Sequence, residues 1–232
     1  MHRSLLSMFV GSLLLVGPAN AEFSGKVSFG YLGTSGNAES TSVNAGSSLN
    51  WAYTKWDHTL DLQALGAQDD VDTTAEAYIA QWKSDFALNE RSYLFGLARY
   101  EKDKFSGYDQ QLTQAVGYGR NLIDTESTTW DMELGAGARQ SDLRDETTES
   151  ETIVRFGTDY AYRFTETNEF TANFSVESGE ANTLAQTTLA IKARLVGDLA
   201  LVASYRVRYN SDVPVGNEET DTFTAISLEY AF

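Results

Sequence analysis

The chain has 232 residues, a formal charge of −16 at pH 7, 12% aromatic residues and no cysteine. Disulfide staples, thiolate chemistry and cysteine-held metals are therefore excluded, and so strong an excess of acid argues against nucleic acid as a partner. After the amino-terminal stretch no segment approaches the roughly 20 continuous apolar residues of a spanning helix, which leaves a soluble exported protein or a membrane protein built of strands.

The amino terminus reads as a secretory leader. Arg3 gives a positive start, an apolar stretch follows from Leu5 to Val16, and Ala19 and Ala21 put small residues at both positions that a leader peptidase inspects. Cleavage is expected after Ala21, leaving residues 22–232 as one domain.

From there the chain alternates with period two, the mark of strands with one greasy and one wet face. The first run carries Phe23, Val27, Phe29 and Tyr31 against Ser24, Lys26 and Ser28, and the second Val43, Leu49, Trp51 and Tyr53 against Asn44, Ser48 and Asn50. A tight turn at Thr54-Lys55 leads to Trp56, Leu60 and Leu62. Tyr78, Trp82 and Phe86 follow, then a turn at Asn89-Glu90 and a run from Ser92 to Glu101 with apolar residues on both faces, so its orientation stays open. Seven further runs place Val116, Leu134, Phe156, Phe174, Ile191, Leu201 and Ile226 on greasy faces, and the last ends on Leu228, Tyr230 and Phe232.

About twelve such strands predict an all-β fold, a single antiparallel transmembrane β-barrel. A soluble β-sandwich also alternates, but it rarely needs twelve strands ending on an aromatic carboxy-terminus. Connections alternate between tight and long, and the six long ones hold fifteen acidic and three basic residues. Aromatic residues cluster near both sets of connections, as two interfacial girdles would. Short periplasmic turns, longer outer loops and an even strand count predict a bacterial outer-membrane protein with both termini in the periplasm.

Parity assigns an inward-facing charged set: Asp57, Asp61, Lys83, Asp85, Asp131, Glu133, Arg139, Arg155, Asp159, Arg163, Lys192, Arg194, Arg206 and Arg208. Two readings are open, a transverse field across a lumen and a closed salt-bridge network. Twelve strands fall between filled eight-stranded barrels and water-filled wide ones, so a filled or very narrow lumen is expected. Gly117, Gly119, Gly135 and Gly137 lie inside strands, where glycines make room for large neighbours. The acidic cluster Asp69, Asp70, Asp72, Glu76, Asp142, Asp145, Glu146 and Glu149 lacks calcium-loop spacing. It reads as a solvated surface holding divalent cations weakly at most. No cofactor motif is present.

The segment Gly30-Tyr31-Leu32-Gly33-Thr34-Ser35-Gly36-Asn37-Ala38-Glu39-Ser40, and the ending from Tyr209 through Pro214 to Phe232, resemble the YdiY-like family, the salt-induced outer-membrane proteins of unknown function. The resemblance implies an outer-membrane barrel surrounded by lipid and brings no catalytic residues. Leu228, Tyr230 and Phe232 also look like the signal that the barrel-assembly machinery reads. The expected role is an envelope protein, structural or a narrow pore for small ions and solutes. The alternative is a barrel hydrolase or acyltransferase acting on lipid or peptide. His58, the single histidine after the leader, falls by parity on the lipid face. A nucleophile within its reach would favour the enzyme.

Overall fold

The computed structural model describes residues 22–34, 40–69, 72–103, 108–143, 147–213 and 218–232; the expected leader, with Ala19 and Ala21, lies outside them. Its strands are β1 (Glu22–Thr34), β2 (Ser40–Tyr53), β3 (Trp56–Asp69), β4 (Asp72–Asn89), β5 (Ser92–Asp103) and β6 (Tyr108–Asp124), then β7 (Thr128–Leu143), β8 (Thr148–Arg163), β9 (Asn168–Ser178), β10 (Thr183–Val196), β11 (Leu199–Asn210) and β12 (Thr220–Ala231). Each pairs antiparallel with its sequence neighbours, and β12 returns to β1 to close a barrel. A closed wall leaves every strand a partner on both sides, which hydrocarbon requires because it offers the backbone no hydrogen bonds.

The burial pattern is that of a soluble protein turned inside out. Large apolar side chains stand exposed around the outside, Leu134 at 61% and Val116 at 69% among them, whereas Glu177 and Arg139 inside are each 1% exposed. An aqueous sandwich core would show the reverse. Tyr53, Trp56 and Tyr162 circle the end of the short turns, and Tyr31, Tyr78, Tyr100 and Tyr209 the end of the long connections. These are the girdles expected at two headgroup levels.

Two features differ from the sequence reading or complete it. First, the polar stretch from Ala67 to Glu76 is largely strand: β3 and β4 continue pairing through Gln68↔Thr73 to Asp69↔Asp72 after a bulge at Ala67. Polar residues on both faces suit a ladder that projects beyond the membrane, where both faces are wet. Second, β5 turns its odd-numbered residues inward. Phe95 and Leu97 are buried with Ala115, and Tyr93 packs against them. From Tyr93 to Leu97 the inner face of this strand is apolar, so alternation was lost there.

The β1–β12 seam is the shortest ladder. Gly25 and Phe232 exchange backbone hydrogen bonds of 2.8 and 2.9 Å, and pairing then runs from Lys26↔Ala231 only to Gly30↔Ser227. On their other sides β1 stays paired to Thr34 and β12 to Thr220. At the point of parting, the Asn44 amide donates to Ser227 Oγ at 3.3 Å across Gly30. A Cβ on Gly30 would fall 2.6 Å from Ser227 Oγ, so only glycine admits this clasp.

Candidate functional site

The site is the lumen, and it is built from the inner faces of all twelve strands. On the β4–β9 side aromatic rings fill it. A Cβ on Gly117 would lie 2.6 Å from the Phe95 ring and one on Gly119 2.2 Å from the Tyr93 ring, so the glycines of β6 and β7 are the seats of the β5 rings. Cations lie over the same rings: Lys83 Nζ is 5.1 Å from the Tyr93 centroid, and the Arg155 guanidinium 5.6 Å from that of Phe95.

These cations belong to a continuous ion-pair chain. Lys83 reaches Asp85 at 2.7 Å and Glu133 at 2.6 Å. Glu133 accepts from Arg155 at 3.2 Å and from the Tyr93 hydroxyl at 3.0 Å. Arg155 then approaches Glu177 at 3.7 Å, and Glu177 takes a two-pronged contact from Arg99, 3.0 and 2.5 Å. The fork geometry suits a planar guanidinium against a carboxylate. Nearer the long connections Arg208 crosses from β11 to Glu101 and the Tyr108 hydroxyl, with Asp103 at 3.6 Å, and Arg139 grips Glu151 at 2.6 and 2.8 Å.

The short-turn mouth is different. Asp57 stands opposite Asp85, and Asp131 opposite Asp159, like charges in adjacent register that ordinarily repel. Amides temper the second pair: Asn121 donates to Asp131, and Asn173 donates to Asp159 at 2.6 Å. Lys192 and Lys26 share Glu229 at 2.5 and 3.9 Å. Arg163 meets Glu169 at 3.8 Å. Arg194 is exposed at the rim.

Arg206 is the exception in mid-lumen. Among the described residues it has no carboxylate partner, and its guanidinium donates to Gln63 Oε1 at 3.0 Å. It lies at the junction of two cavities. One, about 380 Å³, includes Gln81, Lys83, Arg99, Asn173 and Gln186 in its lining; the other, about 240 Å³, includes Ser28, Asn44, Ser48, Ser204 and Ser227. Asp61 and Gln63 border both. A third cavity of about 360 Å³ opens among Gln111, Arg139, Ser141 and Asn182 towards the long connections.

Of the inward positions read from parity, Asp61, Lys83, Glu133, Arg155, Asp159 and Arg206 line one cavity, whereas Asp57, Arg163 and Arg194 are exposed near the short turns. Arg99, Glu101, Glu177 and Glu229 were missed. Glu177 and Glu229 carry the right parity on strands whose other face is greasy, so the signal for them was present. Arg99 and Glu101 were hidden by the ambiguous alternation of β5. Of the acidic cluster considered for cations, Asp70, Asp145 and Glu146 lie outside the described residues. On the outer face His58 does have a hydroxyl in reach: Ser84 Oγ is 2.6 Å from His58 Nδ1.

A closed antiparallel wall, greasy outside and charged within, defines a porin-like outer-membrane β-barrel. The fold is similar to that of the NanC porin, with a TM-score of 0.53 at 10% identity over 89% of this chain and 97% of that one. It is equally similar to an outer-membrane channel from Pseudomonas putida F1, TM-score 0.53 at 10% identity over 94% and 100% of the respective chains. Residues 27–232 match the family described as "Protein of unknown function, DUF481", and the chain belongs to that family. It is 30% identical over 222 residues to the uncharacterized protein YdiY of Escherichia coli (strain K12), covering 92% of this chain and 86% of that protein.

Proposed function

We propose that the protein is a narrow conduit of the outer membrane for small ions and solutes, with its short turns and both termini in the periplasm and its acidic connections outside. The observation that carries this reading is the series of polar cavities separated by side chains alone. Arg206 and Gln63 part the first two, and the bridge from Arg208 to Glu101 and Tyr108 parts the first from the outer one. Among the described residues no backbone segment crosses the lumen. Side-chain bridges exchange rotamers far faster than a folded plug unfolds, so they suit passage of small species in low flux. The carboxy-terminal Leu228, Tyr230 and Phe232 are proposed as the stretch that the assembly machinery reads before the seam closes.

The test is single-channel recording of the refolded barrel in planar bilayers. Wild type is expected to give small discrete steps. Arg206→Gln removes the mid-lumen cation that has no carboxylate partner among the described residues and is expected to move selectivity towards cations and to raise conductance, whereas Arg206→Lys keeps the selectivity. A correctly folded barrel that stays silent in all three forms would leave a structural role in place of the conduit.

The competing enzyme reading has one observation in its favour, the contact between Ser84 and His58. The two are direct cross-strand neighbours, so register alone brings them together. Among the described residues no third side chain orients the ring from its other nitrogen, and backbone N–H groups held in a ladder cannot form an oxyanion hole. The geometry favours the conduit.

A further inference from the structure

The outer face of β2, β3 and β4 beside the Thr54-Lys55 turn gathers three of the chain's four tryptophans around His58. Trp56 stacks on the imidazole at 5.8 Å and 6°, Trp51 lies at 5.5 Å and Trp82 at 6.1 Å. Trp56 and Trp82 are 45% and 52% exposed. Lys55 lies 5.9 Å over Phe86, which itself packs against Trp56 at 4.9 Å.

An aromatic girdle accounts for the tryptophans; it does not account for the polar pair inside them. A histidine and a serine on a lipid-facing wall carry groups that hydrocarbon cannot satisfy. His58 Nδ1 and Ser84 Oγ satisfy each other at 2.6 Å. When the hydroxyl donates to Nδ1, the neutral ring carries its proton on Nε2, and that nitrogen has no partner among the described residues. His58 is three residues from Lys55, about 10 Å along a strand at 3.3 Å per residue, and strand tilt brings it nearer the interface than that. A donor at this depth meets the ester carbonyls of glycerolipids, while Lys55 at the turn sits at the level of their phosphates.

We propose that this patch is a binding site for an anionic glycerophospholipid. Lys55 takes the phosphate, His58 Nε2–H donates to an ester carbonyl, Ser84 fixes the ring in the donating tautomer, and the first acyl chain lies along Trp82 and Leu60. The proposal rests on the orientation given above, which puts the patch in the phospholipid-bearing inner leaflet, and is independent of conduction.

The experiment uses the mature barrel carrying Trp130→Phe, so that fluorescence reports the patch alone, refolded into dioleoylphosphatidylcholine vesicles with increasing brominated phosphatidylglycerol. Both leaflets then contain the probe, and insertion direction does not matter. Quenching well above the bulk mole fraction is expected. His58→Phe, which preserves an aromatic belt, and Lys55→Gln are each expected to cut the enrichment about fivefold, in keeping with loss of one hydrogen bond or charge contact. Quenching that follows bulk composition in wild type, or enrichment unchanged in His58→Phe with normal heat-modifiable mobility, would overturn the site and leave a plain girdle. Release of fatty acid that stops in Ser84→Ala would overturn it too, in favour of a hydrolase.

Discussion

The two halves of the lumen differ in kind. The wall of β4 to β9 is packed: Tyr93 and Phe95 lie on the glycines of β6 and β7, and Lys83, Glu133, Arg155, Glu177 and Arg99 are locked in one chain of ion pairs. From β10 round to β3 the inner face instead carries small hydroxyls and amides, Ser28, Asn44, Ser48, Ser204 and Ser227, and its mid-lumen guanidinium, Arg206, has no carboxylate partner among the described residues. One half braces the cylinder, and the larger cavity, about 380 Å³, lies between its ion-pair chain of Lys83, Arg99, Glu133, Arg155 and Glu177 and the facing residues Asp61, Gln63 and Arg206, while the smaller one lies among the hydroxyls and amides of the other half. A barrel of intermediate width need not choose between being filled and being open, because it can divide the two tasks around its circumference.

The largest effect is expected from Glu177→Ala, which strands Arg99 in a buried setting and leaves Arg155 with Glu133 alone. Loss of one partner from a buried pair costs about 3–5 kcal/mol, and the urea midpoint of the folded barrel in detergent should fall accordingly. Next comes Gly119→Ala, whose Cβ would meet the Tyr93 ring at 2.2 Å; overpacking of this kind costs about 1–3 kcal/mol and is read in the same titration. Arg206→Gln, on the cavity side, is expected to change stability by less than about 1 kcal/mol while altering conductance, since no buried carboxylate loses its partner. If Arg206→Gln destabilised the barrel as much as Glu177→Ala, the division between bracing and conducting halves would collapse.

The smallest effect lies beyond the membrane, where the packed half continues as projecting strands. Hydrogen bonds from Gln110 at 2.5 Å and from the Thr148 hydroxyl at 2.9 Å hold the Asp142 carboxyl below its ordinary range. A carboxyl depressed in the folded state contributes order that is fully present above its unfolded pKa, about 3.9, and is lost as pH falls through the lower folded value. Amide exchange at the outer ends of β6, β7 and β8, corrected for intrinsic rates, should be constant from neutral pH to about pH 5 and rise below pH 4. Asp142→Asn should abolish that rise.

Most of the wall was legible because lipid on one side and water on the other enforce strict alternation; Phe29, Val116, Leu134 and Ile226 could stand on no other face. β5 was not, since packing replaced water on its inner side and Phe95 and Leu97 look like lipid-facing residues until Gly117 and Gly135 are seen opposite. Arg208 was within reach of a sequence reading and Glu101 was hidden with the rest of β5, and their pairing spans the barrel and depends on the closure of all twelve strands. The same is true of Arg206 and Gln63. Ser84 and His58 meet only through the β3–β4 register, which the bulge at Ala67 and the stretch beyond it conceal.

A cylinder under load fails at its weakest join, and the β1–β12 join is short, fastened from Gly25 and Phe232 to the clasp over Gly30. Pulled by its carboxy-terminus, such a wall would peel from there, β12 leaving β1 before any hairpin gives way. The same weakness run backwards makes this the stitch most readily left until last, after the other eleven ladders have already shaped the tube.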